Sequence, residues 1–323
     1  WRGVDIIATL KDVAKKANVS KMTVSRVINH PQLVTDELKQ LVYQAMEELN
    51  YRPNMAAKAL AQNRTLIVKV LILEEMDATE PYYMNLLSGI AKGLDKYQYS
   101  LQLMTENTID TGNSDGYIIT GMRESDYEWI RKIDKPLILY GENTYGVPFV
   151  DSDNRQAEFK ATEYAFKKGY DHIIFVGIDV PEYFERQREQ GYQDALAQHP
   201  DHTAQIHRIR NSSTAAAELV ERLDAHLEPN TCFVCASDRI ALGIQRGLKS
   251  MGRTMPDDVG VIGFDGVFLD QIASPQLTTM KQKVLDMGIA CVEQLMRLIE
   301  GESLKERACY FEADLVERGS TRA

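Results

Sequence analysis

A small all-α head joined to two tandem α/β units is the architecture this sequence predicts, and three observations carry it. Between Thr9 and Leu49 apolar residues fall at helical spacing in three short bursts separated by turn residues. From Leu66 onward, short and almost wholly apolar runs alternate with amphipathic stretches, the pattern of parallel strands covered on both faces by helices. The alternation completes one series and then begins a second, so the body reads as two Rossmann-like lobes of parallel sheet.

Thr9 followed by Asp12 predicts a helix start, a hydroxyl cap with a carboxylate three positions on. Val13, Ala14 and Ala17 give that helix an apolar face, and Asn18 sits where the chain must turn. Ser20 opens a second helix, 21–29, with Val24, Val27 and Ile28 inward and Lys21, Met22, Ser25 and Arg26 outward. Two short helices joined tightly, the second with a polar and basic outer face, form a helix-turn-helix whose second helix fits the DNA major groove. Thr35 is expected to cap a third helix, with Asp36 and Glu37 at its positive end. Its core stripe reads Leu38, Leu41, Val42, Ala45, Met46 and Leu49, and it should stop before Tyr51-Arg52-Pro53.

A three-helix bundle without a nucleic-acid role would look similar, but charge argues against it. Residues 1–64 hold ten Lys and Arg against six Asp and Glu, a net +4, whereas the chain as a whole is −10. A basic head on an acidic body localises phosphate contact to the head.

In the body, strands are expected over 66–73, 99–104, 116–120, 137–140 and 149–150, with helices over 82–96 and 125–132. The second series has strands at 172–177, 206–209, 231–236 and 259–264, with helices near 155–168, 184–198, 214–227 and 238–251. Parallel crossovers need about a dozen residues. Only 105–115 separate the second and third strands, so a loop or single helical turn is expected there. Cys232 and Cys235 lie three apart in a strand-like run, hence on opposite faces, and read as core residues, not as a metal or redox pair. No apolar run reaches membrane-spanning length, and residues 1–8 lack a signal-peptide layout. With four cysteines and no disulfide framework, the expected compartment is the cytoplasm.

Catalysis finds little support. There is no glycine-rich phosphate loop, no dinucleotide fingerprint and no nucleophile elbow. His199 and His202 flank Pro200 and Asp201 in what reads as a solvated loop, so neither a metal nor a cofactor is expected. Strand ends carry polar residues suited to binding. Asp265 at the mouth of 259–264 can accept two hydroxyl hydrogen bonds, as from a sugar diol, though a turn cap is an even alternative. Arg188 offers a rigid fork of donors; the alternative is a surface ion pair with Glu185 or Asp194. Tyr82 and Tyr83 either stack on a ring or divide between core and surface.

The words LKDVA at 10–14, TVSRV at 23–27 and ELNYRPN at 48–54 strongly resemble the head of the lactose-repressor (LacI/GalR) family. The resemblance continues in order through VDSDN at 150–154, REQGY at 188–192, ASD at 236–238, IGFD at 262–265 and LVERGS at 315–320. It implies a dimeric bacterial repressor binding palindromic operator DNA, with a small effector, a sugar or oligosaccharide, held between the lobes of a periplasmic-binding-protein-like body. It places the head at 9–52 and a hinge helix at 53–64. The N-terminal lobe would comprise 65–151 with 284–312, and the C-terminal lobe 152–283 with 313–323.

Lys21, Met22 and Arg26 would then read bases, with Ser20, Thr23, Ser25, Asn29, Thr35 and Tyr51 on the DNA as well. Asn54, Ala57 and Leu60 would enter the minor groove, Leu60 as a wedge. Asp265, Arg188, Ser237, Tyr82, Tyr83, Asp151 and Gln282 would face the effector. Relatives often carry an aromatic platform where this chain has Asn211, Ser212 and Ser213, which favours a ligand held by hydroxyl contacts. No heptad tail follows Ser320 to support a tetramer. Two other readings stay open: a carbon regulator activated by a co-repressor or a protein partner, and a stand-alone sugar-binding protein.

Overall fold

The computed structural model describes residues 8–29, 33–52, 59–60, 62–74, 81–105 and 113–323, with Asn29 and Thr105 described by backbone alone. The chain divides into two compact units, Trp1–Thr65 and Leu66–Ala323.

The first unit holds α1 (Leu10–Lys16), α2 (Lys21–Asn29) and α3 (Asp36–Glu48). Thr9 caps α1 through a reciprocal box with Asp12. Asn18 takes the left-handed conformation, φ 49°, that lets the chain reverse into α2. Val13, Ala14, Val24, Val27, Val42 and Ala45 form the buried centre, flanked by Leu10, Ile28, Met46, Leu49 and Tyr51. Two details differ from expectation. Thr35 occupies the N-cap position of α3, but its side chain makes no capping hydrogen bond. Leu41, expected in the core stripe, is 51% exposed: a helical stripe wider than its partner surface leaves its margin in solvent.

The second unit contains two six-stranded sheets. In the first, β1 (Ile67–Ile72), β2 (Ser100–Thr105), β3 (Gly116–Thr120), β4 (Leu137–Tyr140) and β5 (Phe149–Ser152) pair in parallel. α4 (Tyr82–Asp95) packs beside this sheet. The helix expected over 125–132 is shorter, a 3-10 turn at Glu124–Asp126 running into the single turn α5 (Tyr127–Ile130). Residues 106–112 of the short crossover lie outside the described residues.

The second series follows as α6 (Asn154–Lys167), β6 (His172–Ile178), α7 (Tyr183–Leu196), β7 (Gln205–Ile209), α8 (Ser213–Leu223), β8 (Thr231–Cys235), α9 (Asp238–Ser250), β9 (Val259–Asp265), α10 (Leu269–Ile272) and β10 (Thr278–Lys281). The chain then returns to the first lobe with α11 (Val284–Ile299) and β11 (Ala308–Phe311), which pairs with β5. Finally β12 (Asp314–Val316) adds antiparallel to β10 in the second sheet. The chain therefore passes between lobes at Asp153, at 282–283 and at 312–313.

Apolar strands form the centre of each lobe, and two helix pairs cover them so closely that glycine is required. A Cβ on Gly89 of α4 would lie 2.1 Å from the Leu285 carbonyl oxygen of α11, and one on Gly191 of α7 would lie 2.2 Å from that of Arg155 in α6. Cys232 and Cys235 are buried and free, as their strand position implies. Among the described residues, no helix is long and apolar enough to cross a membrane.

Candidate functional sites: a head helix and an interlobe cleft

In the head, Ser20 sets the start of α2: its hydroxyl accepts the Thr23 amide at 3.0 Å and bonds the Thr23 hydroxyl at 2.8 Å. Lys21 and Arg26 are exposed and Met22 is 71% exposed, whereas Val24 and Val27 are fully buried beneath them. Thr23 and Ser25 are half-buried, and Thr35 is exposed. Tyr51 is half-buried against the head core, which pushes its phenol pKa up. Leu60 is 84% exposed and lies in helical backbone with Ala59 and Gln62. The Asn29 side chain and the expected contacts Asn54 and Ala57 lie outside the described residues. The surface that results is a short, rigidly backed helix with two cations, a thioether and hydroxyls on one side.

In the body, the carboxyl ends of the strands in both sheets open on one cleft of about 1240 Å³. All seven body residues singled out by sequence line it: Asp265, Arg188, Ser237, Tyr82, Tyr83, Asp151 and Gln282. Asp265 closes β9 at φ +112°, a conformation that costs an L-residue on the order of 1–3 kcal/mol. Gln282, on the crossing after β10, holds it there. Its amide nitrogen donates to Asp265 Oδ1 at 2.7 Å and its backbone N–H to the Asp265 carbonyl at 2.9 Å. The Gln282 Oε1 accepts from Ser152 Oγ at 2.6 Å and from Tyr82 Oη at 3.4 Å. Tyr82 in turn shares a 2.8 Å hydrogen bond with Tyr140.

Arg188 is not in a surface ion pair. It is 6% exposed, donates from Nε to Asn154 Oδ1 at 2.9 Å and from Nη1 to the Ala236 carbonyl at 2.5 Å, and lies 3.8 Å from the Phe264 ring centroid. Asp194, a partner considered for it, bonds Arg155 at 2.5 Å instead. Ser237 caps α9 by accepting the Ile240 amide at 3.1 Å and donates to Asn211 Oδ1 at 2.8 Å. Its hydroxyl is thus committed to the protein, and Asn211 extends the polar wall. Tyr83 donates to Glu74.

The electrostatics are dominated by desolvated carboxyls. Burial pushes Asp151 up to about 6 even though the Glu142 and Ser152 amides donate to it at 2.8 and 2.7 Å. Burial likewise pushes Glu185 up to about 7. Asp238, beneath Asp265, is raised well above the carboxylate range by burial and by the Asp265 charge. Glu158 is fully buried with both carboxyl oxygens unpartnered among the described residues, and burial raises it strongly too. Arg188 is thus a buried cation, one of four arginines lining a cleft whose deep acids are held towards their neutral forms.

The aromatic support that the 211–213 segment does not give comes from elsewhere. The 211–213 segment is polar, but Tyr127, Tyr140, Tyr145, Tyr183 and Phe184 line the cleft from other connections. Tyr127 and Tyr145 stack with centroids 4.2 Å apart, and Tyr145 donates to Glu124. Sequence reading missed these residues. Only Tyr140 carried a signal, as the last residue of an apolar strand. His199 is also less solvated than expected: it stacks on Phe166 at 3.9 Å and bonds Glu163 at 2.8 Å. Among the described residues, no cluster of three or more His, Cys, Asp or Glu is arranged to hold a metal.

Comparison with known proteins addresses both units. A family model described as bacterial regulatory proteins, lacI family, matches residues 9–54, and one described as a periplasmic binding protein-like domain matches 162–321. The chain is 52% identical over 316 residues to the HTH-type transcriptional regulator YvdE of Bacillus subtilis (strain 168), covering 98% of this chain and 100% of that protein. It is 29% identical over 314 residues to catabolite control protein A of Priestia megaterium, covering 92% and 94%. Among solved structures, the lac repressor dimer bound to operator and the anti-inducer ONPF matches with a TM-score of 0.75 at 22% identity, covering 98% of this chain and 100% of that one. The complex of the transcriptional regulator CelR with cellobiose matches with a TM-score of 0.73 at 24% identity, covering 97% and 99%. These two structures share the fold.

Proposed function

Since this chain belongs to the LacI family of bacterial regulatory proteins and is a transcriptional regulator, we propose that it represses a carbohydrate-utilisation operon, with operator affinity set by a sugar or oligosaccharide in the interlobe cleft. The observation that carries the reading is the convergence of Asp265, Gln282 and Arg188 at the strand ends of one cleft. A carboxylate, an amide and a guanidinium fixed on an apolar ring offer both acceptors and donors to vicinal hydroxyls. Resemblance to a regulator whose structure holds cellobiose favours the same ligand class.

DNA recognition is assigned to α2, with Arg26 taking a bidentate guanine contact and Lys21 and Met22 beside it. Ser20, Thr23, Ser25, Asn29, Thr35 and Tyr51 serve position more than sequence. The active species is a homodimer on a palindromic site, and the protein carries no catalytic activity of its own. A selection from randomised palindromes, read by filter binding across a salt series, tests the first half. Sequence-specific retention that falls steeply with salt is expected; equal retention of all sequences overturns it. A thermal-shift screen against mono- and oligosaccharides tests the second, because a ligand that binds only the folded state raises apparent stability by mass action.

A further inference from the structure

The cleft is larger than one sugar ring requires, and its polar lining extends well beyond Asp265, Gln282 and Arg188. At about 1240 Å³ it exceeds the roughly 300–1,000 Å³ common for small-molecule pockets. Asp265, Gln282 and Arg188 form the inner set, at the mouths of β8, β9 and β10. In this sheet β10, β9, β8 and β6 are successive neighbours. Three inter-strand steps of about 4.8 Å therefore place the β6–α7 connection on the order of 14 Å along the wall from Gln282.

That connection carries Glu182 and Tyr183, both of which line the cleft. Glu182 Oε2 is buried and has no hydrogen-bond partner among the described residues. A buried acceptor without a donor is costly, and rotation of the carboxylate towards the cleft lets a ligand hydroxyl supply the missing proton. The first lobe contributes the stacked Tyr127–Tyr145 pair to the lining of the same cleft. An aromatic surface beside hydroxyl acceptors suits the apolar C–H face and polar rim of a pyranose. Nothing in the inner set's chemistry needs this second group.

Resting on the carbohydrate reading above, we propose that the cleft holds a carbohydrate of at least two linked rings. The inner ring lies at Asp265 and Arg188. The outer ring packs on the cleft-lining side of Tyr127 and Tyr145 and donates a hydroxyl to Glu182. The outer set is therefore what discriminates an oligosaccharide from its component monosaccharide.

The test is calorimetric titration of the full chain with glucose, galactose and xylose and with their α- and β-linked dimers and trimers. At least one dimer or trimer is expected to bind tenfold or more tighter than its monomer. Tyr145→Ala and Glu182→Gln should each contract that ratio, whereas Asp265→Ala should weaken monomer and oligomer together. Thermal melts of each variant verify folding, and two independent outer-set variants guard against one failing to fold. Equal affinity for monomer and oligomer, or an undiminished ratio in both outer-set variants, overturns the second subsite and leaves the carbohydrate reading standing. Absence of binding by every sugar in the series overturns both.

Discussion

Gln282 donates its side-chain amide to Asp265 at 2.7 Å while its other amide atom accepts from Ser152 at 2.6 Å, so one residue on an interlobe crossing joins the cleft-lining carboxylate of β9 to the end of β5 in the opposite sheet. An effector that competes for Asp265 must perturb this bond. Charge-assisted hydrogen bonds contribute about 1.5–3 kcal/mol, so a double-mutant cycle of Gln282→Ala and Asp265→Ala, read by urea denaturation, should show coupling of roughly that size. Additive losses would mean that the two side chains act independently.

Effector response should be separable from DNA binding. Asp265→Ala and Arg188→Ala are expected to fold and bind operator yet lose their response to the sugar, because a ligand shifts a conformational equilibrium only by its differential affinity for the two states. Operator titrations with and without the sugar identified by screening check this. An unaltered response in both variants would place the site elsewhere.

Arg26 is exposed on a helix whose opposite side is fully buried at Val24 and Val27. Arg26→Ala should therefore leave the melting temperature unchanged and cost about 1–3 kcal/mol on the best operator, with relaxed preference at one position per half-site. A uniform loss across all sequences would move Arg26 to a phosphate contact.

Leu60 is 84% exposed, so Leu60→Ala should hardly alter folding. If it wedges between base pairs, operator affinity should fall markedly, since inserting an apolar side chain offsets unstacking of a few kcal/mol per step. A large drop in melting temperature of the DNA-free protein would assign Leu60 to a core instead.

Glu158 gives a pH prediction with a definite sign. Its folded-state pKa is raised well above the usual value near 4.5, chiefly by burial, so the folded protein holds a proton that the unfolded chain releases. Stability from this group is thus lost progressively as pH rises above about 4.5. Glu158→Gln removes the effect while keeping the shape. The variant should melt higher than wild type at pH 8, with the gap closing towards pH 4.5. A variant less stable at pH 8 would show that Glu158 is ionised and compensated by Arg188.

The head was legible because its determinants are local. A hydroxyl cap at Thr9, a turn at Asn18 and an apolar stripe through Val24 and Val27 act within a few residues of one another. Leu41 shows the boundary of that logic. Helical spacing says which residues share a face, but not how wide a surface the neighbours cover, and Leu41 lies beyond it.

The inner set of the cleft was legible for a related reason. Apolar strands announce where they end, and parallel sheets place their polar strand-end residues at one edge, so Asp265 could be picked from sequence, whereas Asp151 and Gln282 followed from the family resemblance. What sequence by itself determined is therefore the order of elements, the basic head, the lobed body and the polar strand ends. Only the tertiary structure decided that Tyr127, Tyr145 and Tyr183 share a cavity with Asp265, and that Arg188 is buried on Phe264. Connections between strands and helices carry no periodic signal of their own. Where their side chains meet is fixed by how two sheets, built from distant stretches of chain, pack their carboxyl ends toward one another.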